Sequence, residues 1–293
     1  MAKKTLKKIH SILGDKEIYW VGDGFPVRTL FAYPNLGPLL SPFLMLDYAG
    51  PKQFDSADEQ RGVGEHPHRG FETITIVYSG EIDHRDSAGG GGHIGPGDVQ
   101  WMTAGSGVVH EEFHSSDFTQ QGGLLEIVQL WVNLPQKDKL TKPRYQSIEN
   151  EQIPVLSFAN NSGQMRVIAG HYDNVIGPAQ TFSPMNIWDL QLKADNMFHF
   201  ELAEKDTAVL VILSGTVGIA GEKNLLKSAE VAIFERAGSQ LVLEAMTNVK
   251  ALLLSGEPIN EPIVGSGPFV MNTAEEIHQA RMDYQTGKMG HLS

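Results

Sequence analysis

The chain has 293 residues, of which 41% are hydrophobic and 20% are charged, so it can bury a core as one large domain or as two of ordinary size. Its net charge of −12 argues against a phosphate-binding surface and therefore against direct nucleic-acid binding. The absence of cysteine excludes disulfides, a thiolate nucleophile and cysteine-ligated metals, which leaves histidine, carboxylate and water as possible metal ligands.

The N-terminus is basic but lacks the apolar run and cleavage site of a signal peptide. No segment reaches the roughly 18 apolar residues of a membrane span. We therefore expect a soluble, cytoplasmic protein with no membrane partner. The lysine pairs at 3–4 and 7–8 are expected to lie in a solvated, frayed terminus rather than in a targeting signal.

Short strands are predicted along the first half of the chain. From Glu17 to Tyr48, apolar runs alternate with Gly, Pro and Asn turns, and no stretch has a sustained helical period. The β-branched segment 73–78 predicts a strand, which a Ser-Gly turn should join to residues 81–86 as a hairpin. A long strand is predicted over 124–134. This spacing predicts a closed or sandwiched antiparallel sheet.

The strand pattern starts again after Pro154. Residues 212–215 echo 77–80, and residues 237–245 echo 104–112. Such self-similarity predicts two copies of one β-unit.

The end of the chain predicts a helix after a Pro- and Gly-punctuated tail that runs across a surface. Thr273 is the expected N-cap, and Glu276 would complete a capping box. Ile277, Ala280 and Tyr284 share one helical face, so the helix should dock on a β-barrel.

Six of the eleven histidines lie within residues 65–114. His66 and His68, and likewise His110 and Glu112, are separated by one residue, so on a strand both members of each pair would face the same side. Three imidazoles and a carboxylate converging from neighbouring strands would make a site for a small cation. The alternative is that these are surface or loop residues. Because both pairs occur together, with Gly-rich turns between them as a β-barrel would need, we favour the metal site.

The second copy provides an internal comparison. It has Leu243 and Ala245 at the positions of the second pair. Counting back from the Ser-Gly turn places Glu201 and Ala203 near the positions of the first pair. His199 is the remaining candidate there, and a lone strand histidine usually packs or forms a hydrogen bond. We therefore expect a metal site in the first copy only.

Two tandem β-barrels with an HxHxxxE segment and a later GxxH segment resemble the bicupins, and the closer resemblance is to the pirin family. The segments similar to pirin motifs are HPHRGFET (66–73), HRDS (84–87), PGDVQWMTAGSGVVHEE (96–112), IVQLWVNLP (127–135) and GPFVMNT (267–273). The resemblance implies an all-β fold of two tandem cupin domains, each a jelly-roll-like antiparallel barrel. We expect a metal-binding domain at 1–148 and, at 149–293, a domain without metal that ends in the tail and helix.

The resemblance also implies a single metal, usually iron, bound by His66, His68, His110 and Glu112. A general cupin template would instead use Glu72 as the carboxylate ligand. With Glu112 in that role, we expect Glu72 to accept a hydrogen bond that holds a ligand imidazole. The expected cofactor is one divalent ion, Fe(II) first, with Mn, Ni, Cu, Co or Zn as alternatives.

The other notable side chains of the segment receive structural roles. Three further histidines are expected to be bystanders: His84, His93 and His114. Phe71, Trp101 and Met102 could line an aromatic-sized pocket, but core packing explains them as well and is favoured.

The resemblance implies quercetin 2,3-dioxygenase activity, in which a flavonol and O2 react at the metal with loss of carbon monoxide. Glu112 would be the base that takes the flavonol 3-hydroxyl proton. Three imidazoles and one carboxylate leave positions open on an octahedral metal, as a catalytic site requires.

Two other functions remain open from the sequence. One is a non-catalytic, iron-binding module whose redox state regulates a transcriptional or metabolic protein partner. The other is a different cupin chemistry, such as sugar-phosphate isomerisation on zinc, although the basic cluster it would need is not evident. The acidic chain and the SAGGGG connector look like those of bacterial pirins and weaken the transfer of a nuclear role.

Overall fold

The computed structural model describes residues 5–14 and 17–292, and most of these lie in antiparallel strands. The strands in chain order are β1 (Ile9–Leu13), β2 (Tyr19–Val21), β3 (Phe25–Ala32), β4 (Phe43–Phe54), β5 (Gly62–His68), β6 (Phe71–Ser79), β7 (Ile82–Asp86), β8 (Gly91–Ile94), β9 (Val99–Thr103), β10 (Val108–His114), β11 (Gly123–Asn133), β12 (Arg144–Ile148) and β13 (Val155–Ser157). They continue as β14 (Gly163–Ala169), β15 (His171–Tyr172), β16 (Val175–Ile176), β17 (Met185–Leu192), β18 (Asn196–Glu201), β19 (Thr207–Ser214), β20 (Thr216–Ile219), β21 (Leu226–Lys227), β22 (Val231–Phe234), β23 (Gln240–Ala245), β24 (Val249–Gly256), β25 (Val264–Ser266) and β26 (Phe269–Met271). The all-β prediction is confirmed.

Helices are few and short in the described chain. The α-helices are α1 (Tyr33–Leu40), α2 (Ser116–Gln121) and α3 (Ala274–Gln285), and the 3₁₀ turns are Gln136–Asp138, Asn150–Gln152 and Ala159–Asn161. The sequence did not predict α1, because its proline, glycine and asparagine residues are typical of turns. None of the described helices is both long and apolar enough to cross a bilayer.

The contacts divide the chain into two compact units. The first unit comprises residues 17–37, 43–150 and 259–292. The second unit comprises residues 5–14, 38–42 and 151–258. The expected contiguous domains, 1–148 and 149–293, therefore differ from these units: the N-terminal strand belongs to the second unit, and the tail and helix belong to the first.

The two units repeat one sheet arrangement. The seven-stranded sheet of the first unit has the order β12-β9-β6-β11-β4-β3-β2, and that of the second has the order β1-β22-β19-β24-β17-β14-β13. The four-stranded sheets, β5-β10-β7-β8 and β18-β23-β20-β21, also correspond. The matching orders explain the placement of β1, because it completes the second unit's sheet at the edge that β12 occupies in the first.

The Ser-Gly turn at 79–80 does not close a hairpin. β6 pairs with β9 and β11, whereas β7 pairs with β8 and β10 in the other sheet. The predicted hairpin is therefore wrong, because local alternation identifies strands but not their partners.

The N-terminal segment is more ordered than expected. Lys7 is buried and its ammonium donates to the carbonyl oxygens of Glu235 and Arg236, at 3.3 and 3.2 Å. The expectation of a solvated terminus is wrong at this residue, while the first lysine pair lies outside the described residues.

Helix α3 begins as predicted, with Thr273 as N-cap and Glu276 in a capping box. Ile277 and Ala280 pack with Phe269, Met271, Met289 and Val109 of β10. The predicted docking on a barrel is confirmed, and the barrel is that of the first unit.

The third buried residue of α3 is not the one predicted. Tyr284 is exposed, and Asp283 is buried instead. Its carboxylate accepts from Arg69 Nη1 at 2.9 Å and from Lys288 Nζ at 2.8 Å. The bond from Lys288, and after it the bond from Arg69, holds the pKa of Asp283 well below its usual range, although burial acts to raise it. An ion pair therefore ties α3 to the residue next to His68.

Glu72 does not have its predicted role. Thr75, three residues later on β6, lines the cavity described below, so period-two alternation puts Glu72 on the opposite face of the sheet. Its Oε1 accepts from Thr103 at 2.7 Å, and the described residues show no hydrogen bond from Glu72 to an imidazole. Burial raises the pKa of this carboxyl to about 7, although the Thr103 bond opposes the shift.

Replacing Glu72 with Gln should change how stability depends on pH. A carboxyl whose pKa is higher in the folded protein than in the unfolded chain destabilises the fold at any pH at which the unfolded chain ionises it. For Glu72 this destabilisation is absent below about pH 4.5 and complete above about pH 7. The unfolding free energy of Glu72→Gln relative to the native protein should rise by up to about 3 kcal/mol over this range. Urea titrations from pH 4.5 to 8 would measure it, with exposed Glu59→Gln as the control. If the unfolding free energies of Glu72→Gln and the native protein change with pH in the same way, the raised pKa of Glu72 is contradicted.

Replacing Asp283 with Asn should loosen α3, because Arg69 would lose its carboxylate partner in a buried position. We expect a loss of about 2–3 kcal/mol at pH 7. Because the pKa of Asp283 is lowered, the difference should fade as pH drops below about 4. Hydrogen exchange of the α3 amides would report the change, and Lys288→Met, which removes the exposed partner, should have the smaller effect. Equal protection in the native and Asp283→Asn proteins would contradict it.

Candidate metal centre

The two predicted pairs lie on adjacent strands that form one antiparallel ladder. His110 on β10 stands directly opposite His66 on β5, and Val108 stands opposite His68. The His66 and His68 ring centroids lie 4.2 and 4.8 Å from that of His110. One nitrogen from each ring falls within 4.8 Å of the others, so the three imidazoles could hold a metal ion.

A β-bulge adjusts the position of the carboxylate. Between His110 and Glu112 the register shifts, so that Glu112 faces Val63 and strand β5 carries one residue more than β10. The bulge also brings the carbonyl oxygen of Gly64 to 2.8 Å from His66 Nδ1. The backbone irregularity in β5 thus orients one imidazole, and Glu112 shares the face of His110 because the two lie two residues apart on β10.

The hydrogen bonds of the imidazoles suit metal binding. His66 Nδ1 donates to Gly64, and His68 Nδ1 lies 3.4 Å from the carbonyl oxygen of Pro268, so each ring has Nε2 free for a metal. His110 Nε2 is buried without a hydrogen-bond partner. A buried nitrogen of this kind calls for an explanation, and a metal ion supplies one. The three imidazoles therefore fit a metal ion, whereas Glu112 groups with His84 and His110 rather than with His66 and His68.

His84 is part of this site and not a bystander. Its Nδ1 lies 3.4 Å from His110 Nδ1 and 3.8 Å from Glu112 Oε1, and its Nε2 lies 3.5 Å from Asp86. Gln100 Nε2 donates to Glu112 Oε1 at 3.2 Å. His84 and Asp86 belong to the pirin-like HRDS segment, which could have marked them as functional residues. Their spacing in the sequence, however, does not predict that they lie next to Glu112.

The charges of these groups follow from burial and from one another. Burial, followed by the neighbouring His66, lowers the pKa of His68 to about 3, and burial also lowers the pKa of His110. Both imidazoles are neutral near pH 7, the form that binds metals. Burial would raise the pKa of Glu112, but the neighbouring His84 reverses the shift, so the carboxyl is ionised near pH 7. Burial lowers the pKa of His84, but Asp86 and Glu112 together raise it by more.

The two other predicted bystanders lie away from the cluster. His93 is exposed beside Asp83, with 3.1 Å between Nδ1 and the carboxylate. His114 Nε2 donates to the carbonyl oxygen of Gly24 at 2.9 Å, and its ring packs edge-on against Phe25. Both have structural roles.

The imidazoles and Glu112 line a cavity of about 510 Å³ in the first unit. Most of the other lining side chains are apolar or aromatic, and they include Tyr19, Val21, Phe25, Val27, Met45, Val63, Ile82, Ile127 and Trp131. Phe71, Trp101 and Met102 are fully buried and do not line it, which confirms that they pack in the core. Pro268 also lines the cavity, so the tail contributes to the site.

The second unit has no equivalent cluster among its described residues. Strand pairing places Phe198 and Phe200 at the positions of His66 and His68, not the exposed Glu201 and Ala203 that counting along the chain predicted. These two phenylalanines pack with Leu243 and Ala245, the residues predicted for the second pair, in one hydrophobic core. His199 lines a separate cavity of about 740 Å³. The same strands thus form an apolar interior in one unit and a cluster of imidazoles with a carboxylate in the other.

Comparison with known proteins agrees with this architecture. The Pirin model matches residues 24–132, and the Pirin C-terminal cupin domain model matches residues 187–290. A Pseudomonas aeruginosa protein named "Putative quercetin 2,3-dioxygenase" is 53% identical over 283 residues, 97% of this chain and 98% of the relative. A pirin-like protein of Solanum lycopersicum is 39% identical over 92% of this chain and 88% of the relative.

Solved structures resemble the chain in the same way. A quercetin 2,3-dioxygenase from Acinetobacter baumannii is 50% identical with a TM-score of 0.96, and the match covers 99% of this chain and 100% of that one. A bacterial pirin from Escherichia coli, solved in complex with nickel(II), shares the fold at 20% identity with a TM-score of 0.63 over 85% and 99% of the two chains. The two repeated β-units are therefore cupin domains, and the chain belongs to the pirin family.

Proposed function

We propose that this protein is a metal-dependent dioxygenase that opens the central ring of flavonols such as quercetin with O2. The observation that carries the proposal is a group of three imidazoles that could hold a metal ion and that shares the wall of an apolar cavity with the ionised carboxylate of Glu112. Ligand sites are typically apolar pockets with a few fixed polar groups, which describes this cavity. The names of the P. aeruginosa relative and the A. baumannii structure support the same reaction.

We propose His66, His68, His110 and Glu112 as the metal ligands and Fe(II) as the ion, with Mn, Ni, Cu, Co and Zn as alternatives. A divalent ion held by neutral imidazoles and one carboxylate would have a net charge near +1 and would attract an anionic flavonol oxygen. A redox-active ion such as Fe(II) would also supply the chemistry with O2.

Glu112 is the proposed base for the flavonol 3-hydroxyl proton. Its ionised carboxylate lines the cavity, and Gln100 and His84 fix the orientation of one of its oxygens. The lowered pKa of Glu112 favours its role as a ligand and makes it a weak base, so proton transfer would require a bound metal to make the flavonol hydroxyl more acidic. The apolar walls exclude water and fit an aromatic substrate.

Iron-loaded protein should consume O2 and remove the flavonol absorbance of quercetin. His66→Ala should lose bound metal and at least about 100-fold of kcat/KM, since it removes a ligand. Metal analysis and the absorbance assay on the same sample would measure both. His199→Ala, which changes an exposed histidine of the other cavity, is the matched control and should behave like the native protein.

An iron-loaded native protein that leaves quercetin unchanged would overturn the dioxygenase proposal. The expected regulatory role, a metal-dependent module that binds a protein partner, would then be the better account. Undiminished turnover in His66→Ala would equally exclude the proposed site.

Replacing Gln100 with Leu should weaken metal binding without removing a ligand. Gln100 orients Glu112 through its 3.2 Å hydrogen bond, and losing such support typically costs 10–100-fold in metal affinity. A metal-competition titration would measure the change, with thermal unfolding of the metal-free protein as the control for folding. Unchanged affinity would show that Glu112 needs no support from Gln100.

A further inference from the structure

A row of polar residues crosses the seven-stranded sheet of the first unit. Each residue is the direct cross-strand partner of the next, in the order Thr29, Asp47, Gln129, Thr75 and Gln100. Asp47, Gln129 and Thr75 line the cavity that contains the imidazoles. Directly opposed side chains are close neighbours, so the row is one continuous polar band across the sheet, and its three middle members face the cavity.

The second unit shows that the fold does not require this row. Leu210 takes the place of Thr75, because each lies four residues before the serine of its Ser-Gly turn and pairs equivalently with the neighbouring strands. The corresponding row across the second sheet consists of Val167, Trp188, Leu253, Leu210 and Ala232. All five are buried in one hydrophobic core. A polar row in the first unit, where an apolar one suffices for folding, points to a ligand.

Near one end of the row, the buried carboxylate of Asp47 has two hydroxyl neighbours, those of Thr29 and Tyr19. Asp47 is 7% exposed, and its Oδ1 accepts from Thr29 Oγ1 at 2.5 Å. The Tyr19 hydroxyl lies 2.8 Å from Thr29 Oγ1 and 3.3 Å from Asp47 Oδ2. Burial raises the pKa of Asp47 more than these hydrogen bonds lower it. The long Tyr19 contact leaves Oδ2 able to accept a stronger hydrogen bond from a ligand hydroxyl.

Gln129 and Thr75 form the middle of the row, and Gln100 lies at its other end, next to the proposed metal site. Thr75 donates to the side-chain oxygen of Gln129 at 2.7 Å, and the Gln129 amide nitrogen makes no hydrogen bond among the described residues. Gln100 donates to the metal-site residue Glu112. Asp47 stands three strands from Gln100, or roughly 14 Å along the sheet at about 4.8 Å per strand. A single ring cannot span this length, whereas linked aromatic rings can.

We propose that Asp47, assisted by Tyr19 and Gln129, selects polyhydroxylated aromatic ligands over the same ring system without ring hydroxyls. Asp47 accepts a hydrogen bond from a hydroxyl remote from the metal-binding oxygen, and Gln129 donates to an oxygen between the two. This inference rests on the proposed function for the anchoring of the ligand at the metal. A site that hydrogen-bonds a hydroxyl rejects the analogue that lacks it, because the protein group is then left unpaired.

The test compares quercetin with 3-hydroxyflavone, which keeps the 3-hydroxyl and 4-carbonyl groups but lacks the ring hydroxyls. Binding to iron-loaded protein is measured by calorimetry without O2, so that no turnover occurs. The native protein should bind quercetin at least about 10-fold more tightly, and Asp47→Asn should reduce this preference to less than about 3-fold, through weaker quercetin binding, tighter 3-hydroxyflavone binding or both. Tyr19→Phe, at a side chain that is 45% exposed, should reduce the preference in the same direction and covers the case in which Asp47→Asn does not fold.

Equal affinity of the native protein for the two flavonols, or binding of neither, would overturn the proposal. So would an unchanged preference in both variants, or an equal loss of both affinities in both. These outcomes are distinct from failure of the dioxygenase proposal. Absent turnover with a preserved, Asp47-dependent preference contradicts the reaction only, whereas normal turnover without that preference contradicts the role of Asp47 only.

Discussion

The site depends on one antiparallel strand pair, β5 with β10. Its register places His66 against His110, and alternation along β10 places Glu112 on the same face as His110. A slip of one residue would turn the side chains of β5 to the opposite face of the sheet, so the ligand set and the hydrogen-bond ladder are specified together. The other features of the site extend this pair. β7 adds His84 on the far side of β10, and α3 packs behind β10 on Val109.

The second unit separates what the fold requires from what the site adds. Where the first unit has imidazoles, Glu112 and the polar row, the second has phenylalanine, leucine and other apolar residues that pack into a continuous core. Burying polar groups is unfavourable unless each has a partner. In the first unit many of these groups have one, as in the bonds that join Gln100 to Glu112 and Thr75 to Gln129. The buried, unpartnered His110 Nε2 is an exception, and a metal ion would pair it.

The sequence predicts local features of this molecule well and long-range pairing poorly. Strand alternation, the two spaced ligand pairs and the Thr273 capping box follow from side-chain direction over a few residues, and each is present. The assignment of β1 to the second unit and the role of His84 depend on which strands pair across long stretches of chain. Counting residues also misplaced the equivalents of His66 and His68, because the loops of the two units differ in length while the hydrogen-bonded register is the same.

In the proposed reaction, Glu112 would connect the chemistry of the metal with the recognition of the ligand. Its lowered pKa suits a carboxylate that stays ionised as a ligand, and the same property limits its strength as a base. In the proposed reaction, a substrate oxygen would therefore have to lie close to both a bound metal and Glu112 before its proton could move. Gln100 is the last member of the polar row and also the donor to Glu112, so a ligand aligned along the row is aligned with the carboxylate. Orientation by distant hydroxyl contacts would then compensate for the weak base, because correct placement of reacting groups can supply a large part of a rate enhancement.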